Sequence, residues 1–475
     1  MSSTPPTVVW FESDLRTHDN PALTAAVERG GPVIPVYIQD EDVGDGWADG
    51  RGVRWWLRRS LAALDDQFGE VGLRLIRRRG QPGPVLAEIA DSTGADTVRW
   101  NSRLRPARRE RGDSVAEFLN ERGLEVGRHT PDLLHDPDRV ETTSGGPYHV
   151  YTPFWNKFRD VVQVDDPVPR PDIDEVPSVS QWPRSQGWDE LGLSVSWDSD
   201  DIEDVWTPGE PAALSRLRAF TDERISAYDR ARDRPDQDGT SRLSPRLRTG
   251  EVSPRQVWAA AAETMPGDGS ETYLQEIVWR EFSYHLLHHY PETTREPLRD
   301  KFRDFGWRDA PGDLERWQRG QTGYPIVDAG MRQLAHTGWM HNRVRMIVAS
   351  FLTKDLRIHW LHGAEWFWQK LVDADLANNT MGWQWAAGCG ADAQPFFRIF
   401  NPVSQGERHD PNGDYVRRWV PELADLPNDV LHAPWTADSQ VLDAAGVTLG
   451  EDYPPPIVDH SEARERALQE YNRIK

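Results

Sequence analysis

The sequence predicts a doubly wound α/β domain with a parallel sheet, followed by an all-α domain, the two joined by a long connector. Three observations carry this. Short apolar runs alternate with helical stretches through the first third; a Pro/Asp-rich segment follows; and beyond about residue 210 the pattern is helical with few strand signals. At 475 residues the chain also exceeds the size at which a single core keeps growing. The expected boundaries are 1–135 for the α/β domain, 136–205 for the connector and 206–475 for the helical domain.

Taken in order, strands are expected at 8–11, 33–38, 73–76 and 97–100, each an apolar run bounded by turn residues. Helices are expected between and after them at 22–29, 53–68, 85–92 and 109–122. No Gly-x-Gly-x-x-Gly follows the first strand, so the usual dinucleotide fingerprint is absent. Pro and Asp crowd residues 165–171, and acids crowd 198–201, as in an extended crossing between domains. Further helices are expected at 212–232, 254–263, 273–289, 329–339, 343–357 and 363–371.

Composition narrows the function. No apolar run is long enough to span a bilayer, and the N-terminus lacks a signal-peptide pattern, so a cytoplasmic protein with no membrane partner is expected. The single cysteine, Cys389, excludes an intramolecular disulfide and a Cys-ligated zinc cluster, and no metal site is expected. The net charge of −22 argues against nucleic acid as a partner in bulk. Lysine, however, occurs only at positions 157, 301, 354, 370 and 475, so nearly all positive charge is arginine. An Asp-rich, Lys-poor balance is that of a salt-adapted, halophilic protein, in which a local Arg patch can still hold DNA.

Four segments concentrate polar chemistry among apolar residues. In Glu276-Ile277-Val278-Trp279-Arg280, helical spacing puts Glu276, Trp279 and Arg280 on one face, able to read and stack an extruded base; a surface Glu–Arg pair is the plainer alternative. Gly338-Trp339-Met340-His341-Asn342-Arg343-Val344-Arg345-Met346 brings an amide and two arginines into an apolar helix, where buried polar groups require partners; a capped helix start would look the same. Asp373, Asp375, Asn378 and Asn379, followed by Trp383 and Trp385, suit a ligand with donors and acceptors, or are simply a loop. Gly239-Thr240-Ser241-Arg242-Leu243-Ser244-Pro245 places hydroxyls and amides at a helix start, as a phosphate site or an ordinary N-cap would.

Together with Trp10-Phe11-x-x-Asp14-Leu15-Arg16, Tyr148-His149-Val150-Tyr151-Thr152-Pro153-Phe154, Thr322-Gly323-Tyr324-Pro325-Ile326-Val327-Asp328 and Arg398-Ile399-Phe400-Asn401-Pro402, these segments resemble the photolyase/cryptochrome family along nearly the whole chain. Within it the resemblance is closest to class I-like enzymes acting on cyclobutane pyrimidine dimers. The resemblance implies FAD held by Tyr228, Thr240, Ser241, Arg242, Leu243 and Ser244, with Arg345, Asp373, Asp375 and Asn379 about the flavin. It implies that Glu276 and Asn342 hydrogen-bond a flipped lesion, that Trp279 and Trp385 stack on it, and that Met346 packs against it. Arg232, Arg280, Arg398 and Gln405 would face DNA, and Trp383, Trp360 and Trp307 would pass electrons to the flavin. Light-excited reduced FAD would open the dimer by electron transfer. Relatives repairing (6-4) photoproducts carry a second His where Asn342 stands, and plant- and animal-type photoreceptors differ at Asn379. A blue-light photoreceptor and a (6-4) enzyme are the alternatives. The family's opening Arg is replaced by Glu12-Ser13, and Ser102-Arg103 also departs from its pattern, so an antenna chromophore, deazaflavin or methenyltetrahydrofolate, is left open. A monomer is expected.

Overall fold

The computed structural model describes residues 4–40, 44–130, 132–197, 201–392 and 397–475. Strands β1 (Thr7–Phe11), β2 (Val33–Gln39), β3 (Ile76–Arg79), β4 (Thr97–Asn101) and β5 (Glu125–His129) form one parallel sheet in the order β3-β2-β1-β4-β5. Period-2 alternation divides its side chains between two cores. Val9, Phe11, Val33 and Tyr37 pack against α1 (Pro21–Glu28) and α2 (Arg51–Glu70). Val8, Trp10, Ile34 and Val36 pack against α3 (Pro82–Thr93) and α4 (Pro106–Asn120). Both faces are thereby covered, as a parallel sheet requires.

Two strands differ from expectation. The third lies later than 73–76: Leu73 and Leu75 are spent in the core under α2, and the ladder forms from Ile76 onward against Val36–Gln39. Its arginines sit at the sheet edge, Arg77 on Asp65 at 2.5 Å and Arg78 on Glu88 at 2.5 Å. The fifth strand, Glu-Val-Gly-Arg-His, is too polar to read as a strand and gains its place by pairing with β4.

After the 3₁₀ turn Pro137–Arg139, α5 (Tyr151–Val161) leaves the sheet and packs on the long helix α7 (Asp268–His289), with Phe154 against Phe282. The acidic run 198–200 lies outside the described residues. The expected 212–232 helix is broken: α6 (Glu210–Glu223) ends where Arg224 leaves helical geometry, and a 3₁₀ turn leads into Tyr228–Ala231. Then come α8 (Pro325–Thr337), α9 (Asn342–Ser350), α10 (Trp360–Lys370) and α11 (Leu376–Ala387). The expected 343–357 helix instead passes into a π turn at Phe351–Asp355 and stops at Arg357, whose φ is 52°. Helix α11 fills a stretch with no helical expectation; Asp375 caps it by accepting from the Asn378 amide. No helix among the described residues is long and apolar enough to cross a membrane.

The two parts are joined by buried charge. Arg16, fully buried, donates to Asp132 at 2.6 and 3.0 Å, to the Asp19 carbonyl and to the Gly250 carbonyl of the helical part. Glu210 in turn accepts from Thr17 and His18, and Glu251 from Trp56 Nε1 at 2.7 Å. Gly50 and Gly52 complete the seam: a Cβ at Gly50 would lie 2.1 Å from the Trp368 carbonyl oxygen.

Burial alone would raise the Asp132 carboxyl, but Arg16 and then Arg103 hold it below the usual range. Its stabilising contribution is therefore complete above about pH 4 and lost as pH falls through the lower folded value. Asp132→Ala, which strands Arg16, is expected to cost about 3–5 kcal/mol in chemical denaturation at neutral pH and to flatten the acid limb of stability.

Candidate functional site

The centre of the helical part is Asp373, just before α11. Its Oδ2 accepts from Arg345 Nη2 at 2.7 Å and from Ser244 Oγ at 2.6 Å. Its Oδ1 is buried and accepts nothing from the protein. Arg345 comes from α9, where its Nε also donates to the Met340 carbonyl, and Ser244 opens the short helix Ser244–Thr249. Trp339 backs all three, its Nε1 3.4 Å from Ser244 Oγ and its ring beneath both Arg242 and Arg345. Asp375 accepts from Tyr284 at 2.5 Å, and Asn379, one turn into α11, donates from Nδ2 to the Ala364 carbonyl at 3.0 Å.

The 239–245 loop is shaped by a residue sequence reasoning missed. Arg216 donates to the carbonyls of Thr240 and Ser241, at 2.9 Å each, and to both oxygens of Asp238. Those carbonyls are turned toward Arg216, and Arg242 between them and Ser244 adopts φ 52°. A non-glycine residue in that region is held there by its surroundings. Arg242 Nε is ion-paired with Asp238 Oδ1 at 3.3 Å. Leu243 is buried, whereas Ser244 is exposed. Arg216 sits among ordinary helix residues, and nothing in its sequence neighbourhood marks it.

Glu276 and Arg280, expected on one face of the helix, take different protein partners. Glu276 is ion-paired with Arg232 at 2.5 Å, and burial pushes its carboxyl up despite that arginine. Tyr228 lies buried beneath, with Arg232 over its ring. Arg280 instead donates to the Asp132 carbonyl and to Glu281 and covers the Tyr284 ring, lining a cleft between the two parts with Ser13, Arg103, Arg108 and Arg248. Trp279 is stacked on Tyr151, ring centres 3.6 Å apart and planes 9° from parallel. Tyr151, the first residue of α5, was not anticipated as a site residue.

Met346, Trp385 and Arg398 line a single cavity, and Asn342 stands exposed one helical turn before Met346. Gln405 is on the helix Pro402–His409, half-buried. Trp383 and Trp360 are buried and Trp307 is partly so. His359 comes between the last two, its ring 5.1 Å from Trp307 and 5.6 Å from Trp360. Gly363 admits Trp383: a Cβ there would lie 2.1 Å from its ring.

Comparison with known proteins gives this arrangement a class. Residues 7–172 match the DNA photolyase profile, and residues 273–473 match that of the FAD binding domain of DNA photolyase. A deoxyribodipyrimidine photo-lyase of Agrobacterium fabrum is 48% identical over 99% of this chain and 98% of its own. The crystal structure of a bacterial class III photolyase from Agrobacterium tumefaciens covers 100% of the chain, and 98% of its own, at TM-score 0.95 and 47% identity. That of a Synechocystis cryptochrome covers 99% of the chain, and all of its own, at TM-score 0.89 and 30% identity. The chain belongs to the DNA photolyase family. It is a flavin-dependent photolyase, an enzyme of DNA repair.

The residues present fit FAD. A buried unpartnered carboxylate oxygen calls for a donor, and Asp373 Oδ1 supplies one beside Arg345 and Ser244. The positions where an antenna would be expected carry a salt network: Glu12 accepts from Arg111 and lies 3.6 Å from Arg103, which also donates to Asp14.

Asp373→Ala removes the acceptor shared by Arg345 and Ser244. The variant is expected to purify with roughly a tenth or less of the bound flavin of the wild type, read as the flavin-to-protein absorbance ratio, at one lost charged hydrogen-bond set of about 1.5–3 kcal/mol.

Proposed function

We propose that this photolyase opens cyclobutane pyrimidine dimers in DNA by light-driven electron transfer. The observation that carries the reading is the convergence of Met346, Trp385 and Arg398 on one cavity, with the Asn342 amide exposed on the same face of α9. An aromatic wall, a soft thioether, an amide and a cation suit a flipped, poorly stacked dinucleotide. The Agrobacterium relative named deoxyribodipyrimidine photo-lyase supports the same substrate.

Tyr228, Thr240, Ser241, Arg242, Leu243, Ser244, Arg345, Asp373, Asp375 and Asn379 would hold FAD. When bound and reduced, FAD supplies the electron that light makes available. Asn379 has its amide orientation fixed by the Ala364 carbonyl, which presents its oxygen end to the other side. Trp279, backed by Tyr151, offers a stacking surface that cannot tilt. Glu276, its carboxyl raised by burial, gives up its ion pair with Arg232 on taking a proton and can then donate a hydrogen bond to a lesion oxygen. Trp383, Trp360 and Trp307 would carry electrons inward from the surface to restore the reduced cofactor.

The deciding assay is loss of a thymine dimer from an oligonucleotide incubated with reduced protein, in near-UV light and in darkness. Light-dependent loss supports the proposal. No loss, with light-dependent repair of (6-4) DNA, replaces it by the (6-4) reading; loss of neither, with an intact flavin, favours photoreception. The Glu276 carboxyl is protonated up to a higher pH than an ordinary carboxyl, so its donor is lost as pH rises. Repair by the wild type should decline with rising pH, while Glu276→Gln, which keeps a donor at every pH, should be flat. Gly363→Ala, which displaces the Trp383 ring, should slow photoreduction of oxidised flavin roughly tenfold or more, yet leave repair by chemically reduced enzyme near wild type.

A further inference from the structure

Helix α7 ends in His288 and His289, and the 3₁₀ turn Pro137–Arg139 crosses that end and brings Asp138 against both. Asp138 Oδ1 lies 2.9 Å from His288 Nε2 and 4.0 Å from His289 Nε2, and one ligating atom from each residue falls within 4.8 Å of the others. His289 Nε2 is buried and has no hydrogen-bond partner. An imidazole nitrogen with no hydrogen-bond partner can offer its lone pair to a metal ion. The site also sits at a helix C-terminus, where the macrodipole favours a cation.

We propose that Asp138, His288 and His289 form a binding site for a divalent transition ion of the zinc type, with its fourth position open to water. Two imidazoles and one carboxylate suit zinc, copper or nickel far better than magnesium or calcium. A tetrahedral ion with bonds of about 2.0–2.1 Å sets its ligands about 3.3 Å apart, so His289 and Asp138 close by about 0.7 Å from their 4.0 Å separation, and no pair of the three ligating atoms is further apart than 4.8 Å. Arg109 of α4 competes for the site: its Nη1 lies 3.2 Å from His288 Nδ1. While Arg109 donates there, His288 carries its proton on Nε2 and gives it to Asp138. Metal binding moves that proton to Nδ1 and displaces Arg109, which is exposed and free to turn into solvent. The ion thus exchanges a hydrogen bond from the α/β part for a staple between the connector and α7. These residues became neighbours only through the fold, since Asp138 is far from the histidines in sequence, and no spacing motif announces them.

The test is calorimetric titration of the chelator-stripped full-length protein with Zn²⁺, with Co²⁺ absorption as a second readout. One ion per chain and visible Co²⁺ ligand-field bands are expected. Both should vanish in His288→Ala/His289→Ala, and Asp138→Asn should weaken binding roughly tenfold or more. Arg109→Gln, which removes the competitor, should tighten it. Equal stoichiometry and affinity in the double variant, or no binding step in the wild type, overturns the proposal. Should the double variant melt below the wild type in chelator, the exposed Arg109→Gln change decides: unchanged or weaker affinity there refutes the site.

Discussion

A buried guanidinium fixes the rest of this molecule. Arg16 has no solvent exposure, and an unpaired ion in that position would cost several kcal/mol. Its demand is met by groups from three places: the Asp19 carbonyl beside β1, Asp132 at the end of the α/β part, and the Gly250 carbonyl of the helical part. The segment holding Asp132 then reaches α7 twice, since Arg280 donates to the Asp132 carbonyl and the Leu134 amide donates to Glu281. Trp279 immediately precedes Arg280 on α7, and Glu276 lies one turn back from it. The position of the proposed lesion contacts therefore traces, bond by bond, to the need to neutralise one charge in the sheet domain.

This changes how the acidity is read. A net charge of −22 describes the chain, yet many of its carboxylates are internal partners of arginine rather than free surface charge. Glu12, Asp14 and Asp132 surround Arg103; Asp49 meets Arg108 and Arg248; Glu251 meets Arg246. Choosing arginine over lysine suits such a role, because the planar fork can satisfy several oxygens at once. Arg398, by contrast, is exposed beside the Met346–Trp385 cavity, so local charge at the proposed DNA face is independent of the bulk balance. Salt adaptation is a statement about composition that this pairing neither needs nor supplies.

Legibility followed hydrophobic pattern closely. Strands β1, β2 and β4 and the first four helices were readable because their burial is periodic, and β5 was not because it is a polar edge that exists only through pairing with β4. In the helical part, α11 was hidden: Asp375, Asn378 and Asn379 look like a loop until Asp375 is seen to cap the helix that carries Asn379, Trp383 and Trp385. The residue types gathered around Asp373 were legible, and so was the pairing of Arg345 with Asp373, but only by family likeness. Arg216 and Tyr151 were not legible as site residues, because each acts through a contact far away in sequence: with the Thr240 and Ser241 carbonyls, and with Trp279.

Arg280 shows where helical spacing stops being informative. Positions four apart on α7 share a face, and Glu276 and Arg280 were grouped on that ground. Long side chains, however, choose partners over several ångströms, and here two neighbours on one face diverge. Glu276 turns to Arg232 above Tyr228, whereas Arg280 turns to Asp132, Glu281 and the Tyr284 ring. Tyr284 donates to Asp375, the cap of α11, so Arg280 touches the domain seam on one side and the residues proposed to surround the flavin on the other. Its charge serves the coupling of the two parts of the molecule. Helix α7 thus faces a proposed substrate with Glu276 and Trp279 and holds the fold together with Arg280 and Glu281.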